Sequence, residues 1–195
     1  MIELLLILLW AATVENIVFT RALGSGQLLI ETASPRNLFG VSMLLTVMMV
    51  ISSLLCSPLT TLADLLFQNA YLGRPFVMVV AIALLYALLS FLLNLISPRT
   101  YRLIASRLSF ACFNGALLGC VIIMQNRDYN LLQQLGYGIG GALGFIFATI
   151  IVREGERRIA TSRVPKAFKG YPATLIYIGL VSLAVFSLLG HQLPA

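Results

Sequence analysis

The sequence predicts an all-α membrane protein with about six transmembrane helices in one polytopic domain. Of the 195 residues, 59% are hydrophobic and only 10% are charged, with a mean hydropathy of +0.96. A soluble chain of this size could not bury so much apolar surface. Because the bilayer interior cannot satisfy backbone polar groups, each apolar block of roughly 20 residues should be a helix. Such blocks run at about 2–23, 38–58, 76–97, 108–125, 131–152 and 172–190.

The basic residues lie mainly in alternate connections between these blocks. The first, third and fifth connections hold 11 of the 13 Lys and Arg residues, whereas the second and fourth hold only Arg74 and Arg127. Cytoplasmic loops of membrane proteins collect Lys and Arg. We therefore expect the three basic loops in the cytoplasm, both termini outside, and the chain in a bacterial inner membrane. The high isoelectric point then reflects membrane orientation, and no nucleic-acid partner is expected.

Six helices divide into two halves of three, at about 1–97 and 98–195. An odd number of helices per half makes the second half insert upside down relative to the first, which is the plan of many transport folds. The first helices of the two halves are weakly similar, with Asn16 and Gly24 in one and Asn114 and Gly119 in the other. Glycines beside polar residues allow helices one and four to be broken within the membrane.

Three polar side chains fall where lipid is expected. Glu15 and Asn16 lie deep in the first block, and Asn114 lies in the fourth. A carboxylate in a membrane helix is costly and usually faces protein, a partner or water. Either these residues form a buried polar site near the midplane, or Glu15 and Asn16 are hydrated at one end of a tilted helix. Arg21 is beyond i,i+4 reach of Glu15, so we expect it at the cytoplasmic boundary.

The fifth block carries glycine at every fourth position, at Gly136, Gly140 and Gly144. This spacing leaves a groove in which another helix backbone can approach closely. The groove serves either packing within the bundle or an interface with another subunit.

The longer connections also predict local structure. Segment 58–75 begins and ends with proline and suggests a short interfacial helix with Asp64 on its polar side. Segment 97–107 is amphipathic and basic, which suits a helix on the cytoplasmic surface. Segment 153–171 is the longest polar stretch and is expected to be a loop that orients the chain and faces partners.

The sequence offers no set of residues for catalysis by this chain alone. It has no Ser-His-Asp set, no paired soluble carboxylates and no phosphate-binding loop. The three cysteines, Cys56, Cys112 and Cys120, fall inside predicted helices and do not form a disulfide framework. The chain is at most a non-catalytic subunit of a larger enzyme.

Several ordered motifs resemble the Rnf/Nqr family of integral membrane subunits, in particular its RnfA/NqrE branch. They are VENIVFTRALG (Val14–Gly24), SFACFNGALLG (Ser109–Gly119), YGIGGALGF (Tyr137–Phe145) and VPKAFKG (Val164–Gly170). The resemblance implies a subunit of an ion-translocating electron-transport complex that packs against a related, inverted subunit. It also implies a [2Fe–2S] cluster held by two cysteines from each of the two subunits, one on helix one and one on helix four.

This sequence departs from the family at the ligand positions. The resemblance places the two cysteines at positions that hold Gly26 and Gly115 here. Cys112 lies one turn before Gly115 and is a weak alternative ligand. We therefore predict no catalytic residues, no metal ligands and no cofactor for this chain, although the family fold is retained.

Two functions remain open from the sequence. The first is a divergent Rnf/Nqr-type subunit of an electron-transport, ion-translocating complex, with an inverted partner subunit, other complex subunits and membrane lipid as its partners. The second is a stand-alone inverted-repeat transporter or channel, working as a self-dimer, for which Glu15 and Asn16 would be the polar path. A third reading is an assembly factor without transport of its own.

Overall fold

A computed structural model describes residues 2–26, 28, 35–67, 70–127, 129–161, 165 and 168–188, and no strand occurs among them. The all-α prediction is therefore confirmed for this part of the chain. The helices are α1 (Ile2–Ala12), α2 (Ile17–Arg21), α3 (Pro35–Leu66), α4 (Ala70–Ile96), α5 (Pro98–Cys112), α6 (Gly115–Asn126), α7 (Leu131–Thr161) and α8 (Tyr171–Leu188).

The helices account for about six membrane spans. Within the described residues, three stretches are long and apolar enough to cross a bilayer alone: Gly40–Leu66, Leu72–Ile96 and Leu131–Thr161. The pair α5 and α6, bent by 44°, is long and apolar enough for a fourth, broken span when the two helices are taken together. The shorter apolar helices are α1, which α2 continues, and α8. With them the described helices are compatible with about six spans. Spans one and four are both broken, as the sequence allowed.

Span two is longer than predicted, and the separate interfacial helix after Pro58 is wrong. Helix α3 continues through Pro58 to Leu66, so Asp64 lies in its last turn. Proline removes only one backbone donor from a helix. In a membrane span, neighbouring helices and hydroxyl side chains can compensate for that loss.

The basic segment 97–107 belongs to span four. It forms most of α5, which begins at Pro98 after Ser97, whose hydroxyl caps the helix by accepting from the Thr100 N–H. Ser97 alone separates α4 from α5, so the boundary between the proposed halves falls there. The division into repeat halves remains a prediction.

Span five also extends beyond its predicted block. Helix α7 runs to Thr161, so residues 153–161 are helical rather than loop. Arg158 and Glu154, one turn apart, pair at 3.2 Å on its exposed surface. The polar residues of this stretch favour solvent but do not break a helix, since Arg and Glu are good helix formers. Half of the remaining predicted loop, at 162–164, 166 and 167, lies outside the described residues.

Helix α7 is the centre of the bundle. In its membrane-spanning window 61% of the residues are buried, against 11% for the window in α4, so α4 is the most lipid-exposed of the long helices. Tyr137 and Phe145 on α7 are fully buried. The glycine groove of α7 receives α1, and this contact brings the break of span one to the middle of span five.

Candidate functional site between the two broken helices

The Asn16 side chain bridges the break in span one through hydrogen bonds on both sides of it. Its side-chain oxygen accepts from the N–H groups of Val18 (3.0 Å) and Phe19 (3.3 Å), so it caps the N-terminus of α2. Its amide nitrogen donates to the Gly144 carbonyl at 2.8 Å and to the Ala12 carbonyl at 3.3 Å. One buried amide therefore joins the end of α1, the start of α2 and the backbone of α7.

Asn114 occupies the corresponding place in span four. It is fully buried, and its side-chain oxygen accepts from the Ala116 N–H at 2.8 Å, which caps α6. Its amide nitrogen has no hydrogen-bond partner among the described residues. The two asparagines are thus the N-caps of the second half-helices in both broken spans, a shared device that the weak sequence similarity pointed to.

The end of α2 meets the start of α6 at very close range. Gly24 has φ +79°, which glycine adopts without strain. A Cβ at this position would lie 2.8 Å from the Asn114 side-chain oxygen and 2.9 Å from the Ala116 Cβ. A Cβ on Gly115 would lie 3.3 Å from the Gly24 nitrogen. Only glycine at Gly24 lets the two breaks approach in this way.

The glycines of α7 form the surface against which α1 and the break in span one pack. A Cβ on Gly136 would lie 3.0 Å from the Leu4 carbonyl oxygen, and one on Gly140 would overlap the Leu8 carbonyl oxygen. A Cβ on Gly144 would lie 3.1 Å from the amide nitrogen of Asn16. The three glycines that the sequence singled out therefore allow close packing between α7 and α1 of the same chain.

Glu15 is buried in the break and binds two arginines. Its side chain is 7% exposed, and one carboxylate oxygen lies 2.7 Å from Arg127 and 3.2 Å from Arg21. The second oxygen is buried and has no partner among the described residues. The expectation that Arg21 stands apart from Glu15 is wrong, because the irregular turn between α1 and α2 brings together residues that a continuous helix would separate.

Arg127 belongs to this buried ion-pair network, although in the sequence it stands out only as a charge. It follows α6, and its guanidinium also donates to the Tyr129 hydroxyl at 2.9 Å. Burial lowers its pKa, but Tyr129 and Glu15 raise it further, so the pKa of Arg127 lies above its ordinary value and the charge persists. The available signal was the single arginine of the fourth connection together with an acid, Glu15, inside a membrane block.

The polar candidates do not converge on one point. No hydrogen bond among the described residues joins Asn114 to Glu15 or Asn16; Asn16 faces α7, and Asn114 faces the end of α2. Glu15 turns instead toward Arg127, and the buried Tyr137 hydroxyl, without a partner in the described part of the chain, lies within electrostatic range of both charges. The geometry provides two capped half-helix ends and one buried ion-pair network.

The residues present do not fit the iron–sulfur cluster that the resemblance implies. Gly26 and Gly115 carry no ligand atom, although a Cβ on Gly26 would have open space around it. Cys56, Cys112 and Cys120 are buried in the core, and no group of three or more His, Cys, Asp or Glu side chains among the described residues could hold a metal ion. Cluster chemistry therefore has no ligands in this chain at those positions.

Two broken spans with capped inner ends, packed against a glycine-lined central helix, define a polytopic helical membrane protein. A model of the Rnf-Nqr membrane subunit family matches residues 4–191. The chain belongs to this family.

Curated relatives are similar over nearly their whole length. The RnfA subunits of the ion-translocating oxidoreductase complexes of Actinobacillus pleuropneumoniae serotype 5b and Pseudoalteromonas atlantica are 28% and 30% identical to this chain. Each match covers 97% of this chain and 98% of the relative. The corresponding subunit of the Na(+)-translocating ferredoxin:NAD(+) oxidoreductase complex of Acetobacterium woodii is 28% identical with the same coverage. The resemblance to the RnfA branch is confirmed.

Proposed function

We propose that this chain is an integral membrane subunit of an electron-transport, ion-translocating complex of the Rnf type. The observation that carries the proposal is the pair of broken spans with equivalent caps, Asn16 and Asn114, in a chain that matches the family from end to end. Half-helix ends inside a bundle are places where ions and cofactors are bound in membrane proteins. The relatives named above are subunits of such complexes.

The proposed role of the chain is structural and ion-conducting rather than redox-active. Gly26 and Gly115 supply no ligand, so electrons would reach the complex through groups on other subunits. The buried Glu15 with its two arginines supplies a charged group that responds to ions or to movement of α6. In this role the chain is a non-catalytic subunit, without a resident [2Fe–2S] cluster of its own.

The proposed partner is a related subunit inserted in the opposite orientation, together with the other subunits of the complex and membrane lipid. The exposed apolar side chains of α4, such as Leu84, Phe91 and Leu95, suit contact with lipid or with a neighbouring membrane helix. The polar cap at each break is enclosed within the chain, so partner binding need not disturb it.

The proposed location is the bacterial inner membrane, with both termini outside and the basic loops in the cytoplasm. The two arginines that break the charge bias are both paired with acids: Arg74 with Asp64 at 2.8 Å and Arg127 with Glu15 at 2.7 Å. The orientation itself rests on the 11 Lys and Arg residues of the other three connections, against these two. Alkaline phosphatase fused after the last helix should be active in cells, and the same fusion in the connection after Thr161 should not.

Co-purification from the native membrane tests the proposal directly. The tagged chain, extracted in mild detergent, should bring down redox subunits and a related membrane subunit in fixed ratio. A control purification in high detergent should release them and leave the chain alone. A chain that runs alone or as a self-dimer under mild conditions would contradict the proposal and favour the stand-alone transporter.

A further inference from the structure

Arg21 lies at mid-depth in the bundle, although half of its side chain is exposed. The residues before and after it in sequence are fixed to the centre of two spans. Asn16 donates to the carbonyl of Gly144, thirteen positions after the first residue of the 31-residue α7. Gly24 packs against Asn114 at the break between α5 and α6. The Arg21 backbone therefore lies near the middle of the membrane, yet 52% of its side chain is exposed.

The backbone beside Arg21 is irregular and open to the surroundings of the chain. Helix α2 ends at Arg21, and Ala22 follows with φ +55°. Ala22 and Gly26 are exposed, and a Cβ on Gly26 would have open space around it. We call the exposed residues Arg21, Ala22 and Gly26 the break face. Non-helical backbone at membrane depth occurs only where protein covers it or where it lines a water-filled cavity, so lipid chains do not cover this face.

The charge at the break face is unbalanced. Arg21 and Arg127 share one carboxylate oxygen of Glu15, at 3.2 and 2.7 Å, so one negative charge faces two positive charges. Among the described residues, neither guanidinium contacts a second carboxylate. The Arg127 side chain is 39% exposed, so both guanidinium groups are accessible to a further group. This cluster therefore carries one excess positive charge beside a face that lipid chains do not cover.

Depth determines which anion can reach Arg21. Arginines near helix ends extend to the lipid headgroups, but the Arg21 backbone lies at mid-depth and its guanidinium is held at the buried Glu15. Headgroup phosphates lie outside the hydrocarbon core, at least about 15 Å from its centre. Charged side chains inside membrane segments pair with one another or with backbone carbonyls. A carboxylate on a neighbouring membrane helix has both the required charge and the required depth.

We propose that the break face is the contact surface for a neighbouring membrane subunit of the complex, and that an acidic side chain of that subunit binds Arg21 inside the membrane. The Arg21 Nη2 donates to Glu15, and a guanidinium has five N–H donors, so Arg21 can bind both carboxylates at once. The second carboxylate would balance the excess charge of the cluster. The proposal rests on the proposed function, since it requires a membrane partner.

The first test is the rate at which the membrane partner leaves the intact purified complex. The complex is immobilised through a tag on this chain, and release of the other membrane subunits in mild detergent is followed over time. Arg21→Met keeps an unbranched side chain without the charge, and release should become at least about tenfold faster, since truncating one member of a buried charge pair mainly raises the dissociation rate. Arg21→Lys keeps the charge and should release the partner more slowly than Arg21→Met. Arg158→Gln, in an exposed ion pair, is the control and should match the wild type.

Chemical labelling distinguishes a protein partner from a water-filled cavity. Ala22→Cys places a thiol on the break face, and a water-soluble maleimide is applied to the intact complex and to the chain separated from its partners. The thiol should be protected in the complex and labelled in the separated chain. The wild type is the control, since Cys56, Cys112 and Cys120 are buried and should stay unlabelled in both samples. Labelling of Ala22→Cys in the intact complex would show that water covers the break face and would overturn the proposal.

Two further acids of this chain are tested as alternative sources of the carboxylate. Glu31 and Asp128, ten residues after Arg21 and one after Arg127 in sequence, lie outside the described residues. Glu31→Gln and Asp128→Asn should release the partner at the wild-type rate. Release as fast as in Arg21→Met by either variant, or equal rates in Arg21→Met and the wild type, would overturn the proposal. A chain that purifies without any partner is a different result, which contradicts the proposed function instead.

Discussion

The Glu15 carboxylate and the Arg127 guanidinium lie 2.7 Å apart although 112 residues separate them in the chain. The contact ties the break of span one to the end of span four, which belong to opposite halves of the proposed repeat. A charged pair within a membrane bundle is therefore also a link between the halves.

Removing Arg127 should destabilise the subunit. In Arg127→Gln the buried carboxylate keeps only Arg21 at 3.2 Å, and loss of a hydrogen bond to a charged group costs about 2 kcal/mol. For a chain of this size that corresponds to a fall in melting temperature of roughly 4–8 °C. Thermal unfolding of the purified complex, followed by intrinsic fluorescence, measures it.

The control for Arg127 is Arg158→Gln. Arg158 pairs with Glu154 one turn away, but both side chains are exposed, at 81% and 51%. Exposed pairs of this kind contribute well under 1 kcal/mol. Equal effects of the two substitutions would contradict the buried role assigned to Glu15 and Arg127.

The two capping asparagines should respond differently to serine. Serine can still cap a helix but has no amide group to donate. Asn114→Ser should be the milder change, since serine caps a helix about as well as asparagine and the Asn114 amide nitrogen has no partner to lose among the described residues. Asn16→Ser should cost about 1 kcal/mol more, because the hydrogen bond to the Gly144 carbonyl disappears. The measurement is the melting temperature of each of the two serine variants. A larger decrease for Asn114→Ser than for Asn16→Ser would contradict the role of the Asn16 hydrogen bond to Gly144.

A methyl group on the central helix should separate α1 from α7. In Gly140→Ala the new Cβ would overlap the Leu8 carbonyl oxygen, and overpacking of this kind typically costs about 1–3 kcal/mol. Gly179→Ala in α8 is the matched control, since none of the described residues lies within 4 Å of its Cβ, and it should be neutral or stabilising by up to about 1 kcal/mol. The readout is the yield of assembled complex together with its melting temperature.

Iron in the complex should be independent of this chain's cysteines. Cys112 is fully buried beside Leu108 and Ala111 on α5, and Gly115 provides no second ligand. In Cys112→Ser we expect unchanged iron and acid-labile sulfide per complex and an unchanged EPR spectrum of the reduced sample. A [2Fe–2S] signal that vanished in this variant, with the complex still assembled, would show relocated ligation and overturn the prediction.

Span number, fold class and the broken helices could be predicted because they depend on local composition. Apolar blocks predict membrane spans directly, and an asparagine beside glycines indicates a place where a span can be interrupted. The end of span two was misjudged at Pro58, since proline is a strong local signal that the packing of the bundle overrode. The helical end of span five was missed for a related reason: polarity indicates exposure to water, not the absence of helix.

The ion-pair network could not be derived from sequence spacing. Arg21 is six residues from Glu15, and only the irregular turn at the break makes that separation short. The partner at Arg127 and the Asn16 contact with Gly144 arise from packing between distant segments.

The Asn16 contact with Gly144 also imposes an order on biogenesis. The two residues are 128 positions apart, so at 5–20 residues per second the ribosome delivers Gly144 roughly 6–26 s after Asn16. Helix α1 has 11 residues, about 16 Å, which is half the hydrocarbon thickness of a bilayer. The nascent first span must therefore wait, with an acid and an unpaired amide, for a helix not yet translated. During that interval the insertion machinery must keep the first span and its polar groups out of the lipid. Folding of the amino-terminal half cannot be completed before synthesis of the carboxy-terminal half is well advanced.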